Sequence, residues 1–122
     1  MLSGPASELG LQHAVEFPLM VATGAPPAVD LGDLTVRRAA GEEGARASAQ
    51  ALHRAFGIPA GSMLRAMPES SLDSPALEVW IAELNATCIG SVTLTLQGDT
   101  AGVWAMGVDP EVQRQGVGRR LL

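Results

Sequence analysis

The 122-residue sequence contains no lysine, no tyrosine and a single cysteine, Cys88. Because one cysteine cannot form an internal disulfide, the fold does not require an oxidising compartment, and we predict a cytoplasmic protein. Every basic residue is an arginine, and the first of them is Arg37. The first 36 residues therefore lack the positive charge typical of a secretory signal or a transit peptide.

Long apolar runs and an excess of positive charge are also lacking. No apolar run approaches the roughly 18 residues that a membrane-spanning helix needs. The chain has 13 acidic residues against 8 basic ones, which gives a formal net charge of −5. This charge disfavours nucleic acid and anionic membranes as partners. A length of 122 residues allows one soluble domain at most, and we predict no metal centre.

The N-terminal part combines an apolar run with stiff backbone. Residues 11–23 are compatible with a strand, but Pro18 restricts them to an edge strand or an extended arm. The sequence Gly-Ala-Pro-Pro-Ala at residues 24–28 is typical of a linker. We therefore predict an N-terminal arm and Pro/Gly linker at residues 1–33, followed by a domain at residues 34–122.

The domain is predicted to begin with a strand at residues 34–38 and a helix. Two acidic residues, Glu42 and Glu43, stand where the positive end of a helix dipole favours them. Gly57 suits the position after the helix C-terminus, and a second helix is predicted at residues 60–67. The apolar stripe of the first helix is predicted to comprise Ala45, Ala49, Leu52 and Phe56.

The hydrophobic period then changes to two, which predicts three strands at residues 77–84, 88–97 and 100–108. In the second of these, Ser91, Thr93 and their polar counterparts alternate with apolar residues, which predicts one buried face and one polar face. Gly98 and Asp99 indicate a hairpin. The element order predicts an α+β fold, with mixed helices and strands, built on a mostly antiparallel sheet.

The last 20 residues carry the most informative pattern. A strand leads through a turn to Gln113-x-x-Gly116-x-Gly118 and the start of a helix. Such a loop can turn several backbone N–H groups into one concavity that binds an anion. The two glycines allow a phosphate to approach the backbone, and Arg114 and Arg119 can add charge-assisted hydrogen bonds. The segment lacks the third small residue of a dinucleotide-binding loop and the Gly-Lys-Ser/Thr of a P-loop.

This segment resembles the GNAT superfamily of acetyl-CoA-dependent N-acetyltransferases, whose loop reads Gln/Arg-x-x-Gly-x-Gly/Ala after a strand that ends in Val-x-Pro. Residues 108–110 and 113–118 match that pattern, and Leu121 and Leu122 match the apolar start of its helix. The element order from Leu34 onward fits the first two thirds of that fold. The resemblance implies a mostly antiparallel sheet flanked by helices.

The resemblance also implies a reaction, the transfer of an acetyl group from acetyl-CoA to an amine by direct attack. The loop would bind the CoA diphosphate, and residues 106–108 would pair with the pantetheine as an added strand. A backbone N–H near Met106 or Gly107 would stabilise the oxyanion. The implied cofactor-binding residues are Met106, Gly107, Val108, Gln113, Arg114, Gln115, Gly116, Val117, Gly118 and Arg119.

The general base is not identified by the sequence. Glu78 and Glu83 are the only carboxylates of the central strands, and either one can instead lie on a solvated surface. Strand alternation predicts that they lie on opposite faces, so at most one can face the cofactor. Met63 and Met67 fit either the core or a substrate pocket.

The chain ends about one turn into the last predicted helix, whereas the family continues with further strands and a helix. We therefore expect a fragment, namely the N-terminal part of such a domain, that is inactive alone. Its open sheet edge would favour self-association or a partner chain that covers it. An alternative to catalysis is a noncatalytic CoA-binding or partner-binding module that uses the same loop.

Overall fold

The computed structural model describes residues 7–12, 20–24 and 30–122. The strands are β1 (Thr35–Arg38), β2 (Leu77–Leu84), β3 (Thr87–Gln97) and β4 (Thr100–Val108). The helices are α1 (Gly41–Phe56), α2 (Ala60–Ala66) and α3 (Val117–Leu121). Two 3₁₀ helices are also present, at Glu69–Asp73 and Pro110–Val112. The first of them lies between α2 and β2.

The four strands form one antiparallel sheet in the order β1-β2-β3-β4. Neighbouring strands follow each other in the chain, except that α1, α2 and the first 3₁₀ helix lie between β1 and β2. The predicted hairpin at Gly98 joins β3 to β4, and Gly98 has a positive φ of 59°. The predicted α+β fold with a mostly antiparallel sheet is confirmed.

Helix α1 covers one face of the sheet with small side chains. Glu42 and Glu43 lie in its first turn as predicted, and Gly57 ends it in the left-handed conformation with φ 71°. Its predicted stripe is correct for Ala45, Ala49 and Leu52, which are buried, but wrong for Phe56, which is 54% exposed. Phe56 is the last residue of α1, and its ring lies against Gly107 of β4 while more than half of the residue remains exposed.

The predicted polar face of β3 is exposed at Thr95 and Gln97 but buried at Ser91 and Thr93. Ser91 and Thr93 are 0% and 3% exposed, because α1 and Met67 cover them. The Ser91 hydroxyl is 2.7 Å from that of Ser48 on α1, and the Thr93 hydroxyl donates to the Met67 sulfur at 3.9 Å. Alternation indicates which residues share a face, but it does not indicate what covers that face.

The opposite face is covered by α3 and the segment before β1. Val117 and Leu121 of α3 pack in one apolar cluster with Ala82 of β2 and Val92 of β3. Leu34 joins the same cluster. The sheet is therefore buried on both faces at its centre, which is where β2 and β3 pair.

The predicted arm and linker lie largely outside the described residues. Of residues 1–33, the structure describes residues 7–12, 20–24 and 30–33; residues 11–12 and 20–23, from the run predicted to be an edge strand or an extended arm, are exposed and form neither a helix nor a strand. Of the linker, only Gly24 is described. No helix in the described ranges is both long and apolar enough to span a bilayer.

Candidate functional site

The segment after β4 is folded by side chains that bond back to the main chain. The Asp109 carboxylate accepts a hydrogen bond from the N–H of Glu111 at 3.0 Å, and the Asp109 carbonyl accepts one from Val112 at 3.0 Å. The Gln113 side-chain amide donates to the carbonyl of Val108 at 2.9 Å. These bonds reverse the chain at the end of β4, so that the following loop lies next to the strand.

The loop at residues 113–118 offers unpaired backbone donors. Among the described residues, no protein oxygen accepts a hydrogen bond from the N–H groups of this loop. Gly116 caps α3 with φ 92°, and Arg114 has φ 63°, both in the left-handed region. A non-glycine residue in that region is uncommon and is held there by its surroundings. Two left-handed residues thus set the course of the loop, and its donors remain available to a ligand.

The loop borders an open groove of about 740 Å³ beside β4. Nine of the ten cofactor-binding residues implied by the sequence line it, and Val112, which the sequence analysis missed, also contributes. The nine are Met106, Val108, Gln113, Arg114, Gln115, Gly116, Val117, Gly118 and Arg119. Arg114 and Arg119 form no ion pair with any other described residue.

The tenth residue, Gly107, does not line the groove, because it is buried under α1. A Cβ atom at Gly107 would lie 2.7 Å from the Ala55 Cβ and 2.9 Å from a Phe56 ring carbon. Glycine at this position therefore allows the end of α1 to rest directly on β4. The contact positions the strand at the residues implied to bind the thioester.

A β-bulge interrupts β4 just before Gly107. Ser91 of β3 pairs with Gly107 and Thr93 pairs with Trp104, so two residues of β4, Ala105 and Met106, lie opposite one residue of β3. Ala105 has φ 45°. A bulge of this kind disrupts the ladder and reorients backbone groups. The bulge lies in the edge strand, next to the groove, and the sequence analysis did not predict it.

Glu78 and Glu83 lie on opposite faces of β2, as predicted. The Arg37 guanidinium donates to both Glu83 carboxylate oxygens at 3.0 Å and holds the pKa of Glu83 below its usual range. Glu78 accepts from the Trp80 indole N–H at 2.9 Å on the other face. Both are on β2, two strands away from β4. A carboxylate with a lowered pKa is a poor proton acceptor at neutral pH.

The other candidate side chains are engaged in packing. Met63 and Met67 line a small void beneath α1 of about 10 Å³, which is the space of one water molecule. Burial raises the pKa of the Cys88 thiol. Among the described residues, no group of three His, Cys, Asp or Glu side chains has a geometry that fits a metal ion.

Comparison with known proteins identifies the domain type. The model of the acetyltransferase (GNAT) family matches residues 49–122, which are 74 of the 122 residues. No curated protein sequence matches the chain.

Solved structures with the same fold are only distantly similar in sequence. The ribosomal-protein-S18-alanine N-acetyltransferase from Escherichia coli superposes with a TM-score of 0.57 at 21% identity, over 72% of this chain and 54% of that chain. The PaiA N-acetyltransferase from Thermoplasma acidophilum, in complex with coenzyme A, superposes with a TM-score of 0.57 at 15% identity, over 72% of this chain and 66% of that chain. A GCN5-related N-acetyltransferase from Kribbella flavida superposes with a TM-score of 0.55 at 16% identity, over 78% of this chain and 34% of that chain. The present chain therefore spans between about a third and two thirds of the length of these structures.

Proposed function

This chain belongs to the GNAT acetyltransferase family, and on that premise we propose that it transfers an acetyl group from acetyl-CoA to an amine. The observation that carries the proposal is the loop at residues 113–118, whose N–H groups bond to no described residue and border an open groove. A row of backbone donors in a fixed loop suits a phosphate group.

In this proposal the loop binds the diphosphate of CoA. Phosphate oxygens accept hydrogen bonds from the N–H groups between Gln113 and Gly118, and the guanidinium groups of Arg114 and Arg119 supply positive charge. Both arginines border the groove and are exposed. Gly116 and Gly118 carry no side chain that would keep a phosphate away from the backbone.

The β4 edge would hold the reactive end of the cofactor. Residues 106–108 would pair with the pantetheine, and a backbone N–H at the bulge, near Met106 or Gly107, would donate to the thioester oxygen. The amine nitrogen would attack the carbonyl carbon, the C–S bond would break, and the proton lost by the amine would pass through solvent to the departing thiolate. A preorganised donor of this kind typically lowers the barrier by roughly 3 to 4 kcal/mol.

The proposal also covers the domain bounds, the localisation and the partners of the protein. We place the acyl-CoA-binding domain at residues 34–122 and assign residues 1–33 to an arm and linker, in a cytoplasmic protein. The amine acceptor and acetyl-CoA are its partners. The exposed β4 side chains Val103 and Trp104 favour self-association or a partner chain at this edge.

A noncatalytic CoA-binding module is the second candidate, and the composition of the groove favours it. Among the described residues that line the groove, the only ionisable side chains are those of Arg114 and Arg119. Neither is a general base at physiological pH, because guanidinium groups remain protonated. A binding module needs no base, whereas an acetyltransferase must remove a proton from the amine.

Calorimetry and a thiol-release assay separate these outcomes. We expect the full-length protein to release or absorb heat on titration with CoA, and to release free thiol from acetyl-CoA when a panel of primary amines is supplied. Binding without thiol release for any amine would favour the module. No heat of binding from a folded chain, checked by circular dichroism, would contradict both candidates.

A further inference from the structure

Arg54, in the last turn of α1, joins three parts of the fold. Its Nε donates to the Oδ2 atom of Asp109, the residue directly after β4, at 2.8 Å. Its Nη2 donates to the backbone carbonyl of Cys88 in β3. The Arg54 side chain is 36% exposed and that of Asp109 is 16% exposed, so solvent only partly screens the pair. One guanidinium therefore links α1 to β3 and to Asp109, the residue that starts the turn before the loop.

The two carboxylate oxygens of Asp109 have different partners. Oδ1 accepts from the N–H of Glu111 and starts the 3₁₀ helix, whereas Oδ2 accepts from Arg54. The backbone N–H of Asp109 donates to the carbonyl of Ile89 at 2.7 Å. Without Arg54, the carboxylate would remain a cap but would be free to rotate, and the turn would lose its link to α1.

We propose that Arg54 is a positioning residue for the loop at residues 113–118, because it holds Asp109 in the orientation from which the loop departs. The proposal rests on the proposed function, since it concerns the same CoA-binding loop. The turn that Asp109 starts leads the chain from the end of β4 into residues 113–118. Its orientation therefore decides where the loop donors lie, and a preorganised loop binds with less loss of entropy.

A second arginine on α1 provides a matched control. Arg46 forms an ion pair with Glu42 of the same helix, and these side chains are 60% and 72% exposed. Within the described residues it contacts no carboxylate of another element. Replacing Arg46 removes the same charge from the same helix as replacing Arg54, but it leaves the hydrogen bonds of Asp109 unchanged.

The test compares Arg54→Ala, Arg54→Lys and Arg46→Ala in the full chain. We expect Arg54→Ala to raise the Kd for CoA about 10-fold, on the scale typical of misplaced binding groups. Arg54→Lys should give a smaller rise, because lysine can keep the ion pair with Asp109 but lacks the planar fork for the second bond to Cys88. Arg46→Ala should leave the Kd within about two-fold.

A second readout does not depend on CoA. In the free protein, amide exchange measured by NMR at Asp109, Glu111 and Val112 should be about 10-fold faster in Arg54→Ala, because these hydrogen-bonded N–H groups report the turn directly. Exchange in β2 should stay unchanged. If Arg54→Ala does not fold, Arg54→Lys and Asp109→Asn supply the same comparison, because Asp109→Asn removes the charge and keeps an oxygen that can accept from Glu111.

The outcomes separate the two proposals. Unchanged exchange and unchanged Kd in Arg54→Ala would overturn the positioning role, and so would exchange that accelerates equally throughout the sheet, which indicates general destabilisation. If the wild-type chain binds no CoA, the proposed function fails, while the exchange data still decide whether Arg54 holds the turn. Equal effects of Arg54→Ala and Arg46→Ala on the Kd would also overturn the proposal.

Discussion

The polar groups at the two edges of the sheet differ in whether they have partners within the protein. At the β1 edge, Arg37 bonds to Glu83 and also to Glu43 at 2.9 Å, and Arg38 lies 3.7 Å from Glu78. At the β4 edge, the N–H groups of residues 113–118 have no partner among the described residues. Polar groups that are not paired within a protein bond to water or to a ligand. The β1 edge pairs its charged groups within the chain, whereas the loop after β4 leaves its donors free for the CoA phosphates that we propose it binds.

The largest expected effect is a loss of CoA affinity on substitution of Gly116 in the loop after β4. Gly116→Glu should weaken CoA binding by on the order of 100-fold or more, because it places a carboxylate against the proposed phosphate position and strains a residue with φ 92°. Isothermal calorimetry measures the loss, and far-UV circular dichroism should stay close to that of the wild type.

Two controls separate charge from strain in that experiment. Gly116→Ala introduces the strain without the charge, and Gly98→Glu introduces both at the β3–β4 hairpin, where φ is 59°. We expect a small loss of affinity in the first and none in the second. Retained affinity in Gly116→Glu would exclude the loop as the phosphate site.

The second prediction concerns Gly107 of β4, on which the end of α1 packs closely. Gly107→Ala should lower the free energy of unfolding by about 1 to 3 kcal/mol, because the new Cβ would lie 2.7 Å from the Ala55 Cβ and α1 would have to move away. Urea denaturation measures the change. In the control Gly118→Ala, the Cβ meets its nearest atoms at 3.9 Å and no such loss is expected. Equal stabilities of the two variants would show that α1 does not rest on Gly107.

The smallest expected effect lies at the β1 edge. Glu83→Gln should lower the free energy of unfolding at neutral pH by at most about 1 kcal/mol, because the Arg37 side chain is 40% exposed and solvent screens the pair. Arg37 lowers the pKa of Glu83 in the folded state. The ion pair therefore contributes above the ordinary glutamate pKa, and its contribution is lost as the pH falls through the lowered value.

Urea denaturation of wild type and Glu83→Gln across acid and neutral pH checks that sign. The difference in stability should shrink as the pH falls. Glu43→Gln is the matched control, because Glu43 binds the same arginine but is 69% exposed, and its effect should be smaller. A difference that grows at acid pH would contradict the assignment.

Local sequence signals were sufficient to predict most of the helices and strands of the fold. The start and end of α1 follow from Glu42, Glu43 and Gly57, because capping and dipole effects act within one turn of the helix. The bounds of β2 and β4 follow from period-two alternation and the turn at Gly98. The loop at residues 113–118 was recognisable because its glycines and its place between strand and helix are sequence features.

The features that the sequence did not reveal depend on contacts between distant segments. Arg54 lies 55 positions before Asp109 in the chain, and nothing near either residue indicates their pairing. The bulge at Ala105 and the positive φ of Arg114 occur at residues that do not normally favour them. The burial of Ser91 required knowledge of where α1 packs. Periodicity describes one element at a time, so it contains no information on these contacts.

The hydroxyl pair of Ser48 and Ser91 has a consequence for how α1 finds its place. The neighbouring side chains of the helix are mainly alanines, whose smooth surfaces would tolerate a slide along the sheet with little loss of contact. The 2.7 Å bond does not tolerate it, because a shift by one helical turn would leave two buried hydroxyls without partners, at roughly 1 to 3 kcal/mol each. A pair of small polar atoms thus selects one docking position among several that hydrophobic packing alone would accept, and thereby sets where the end of the helix meets β4.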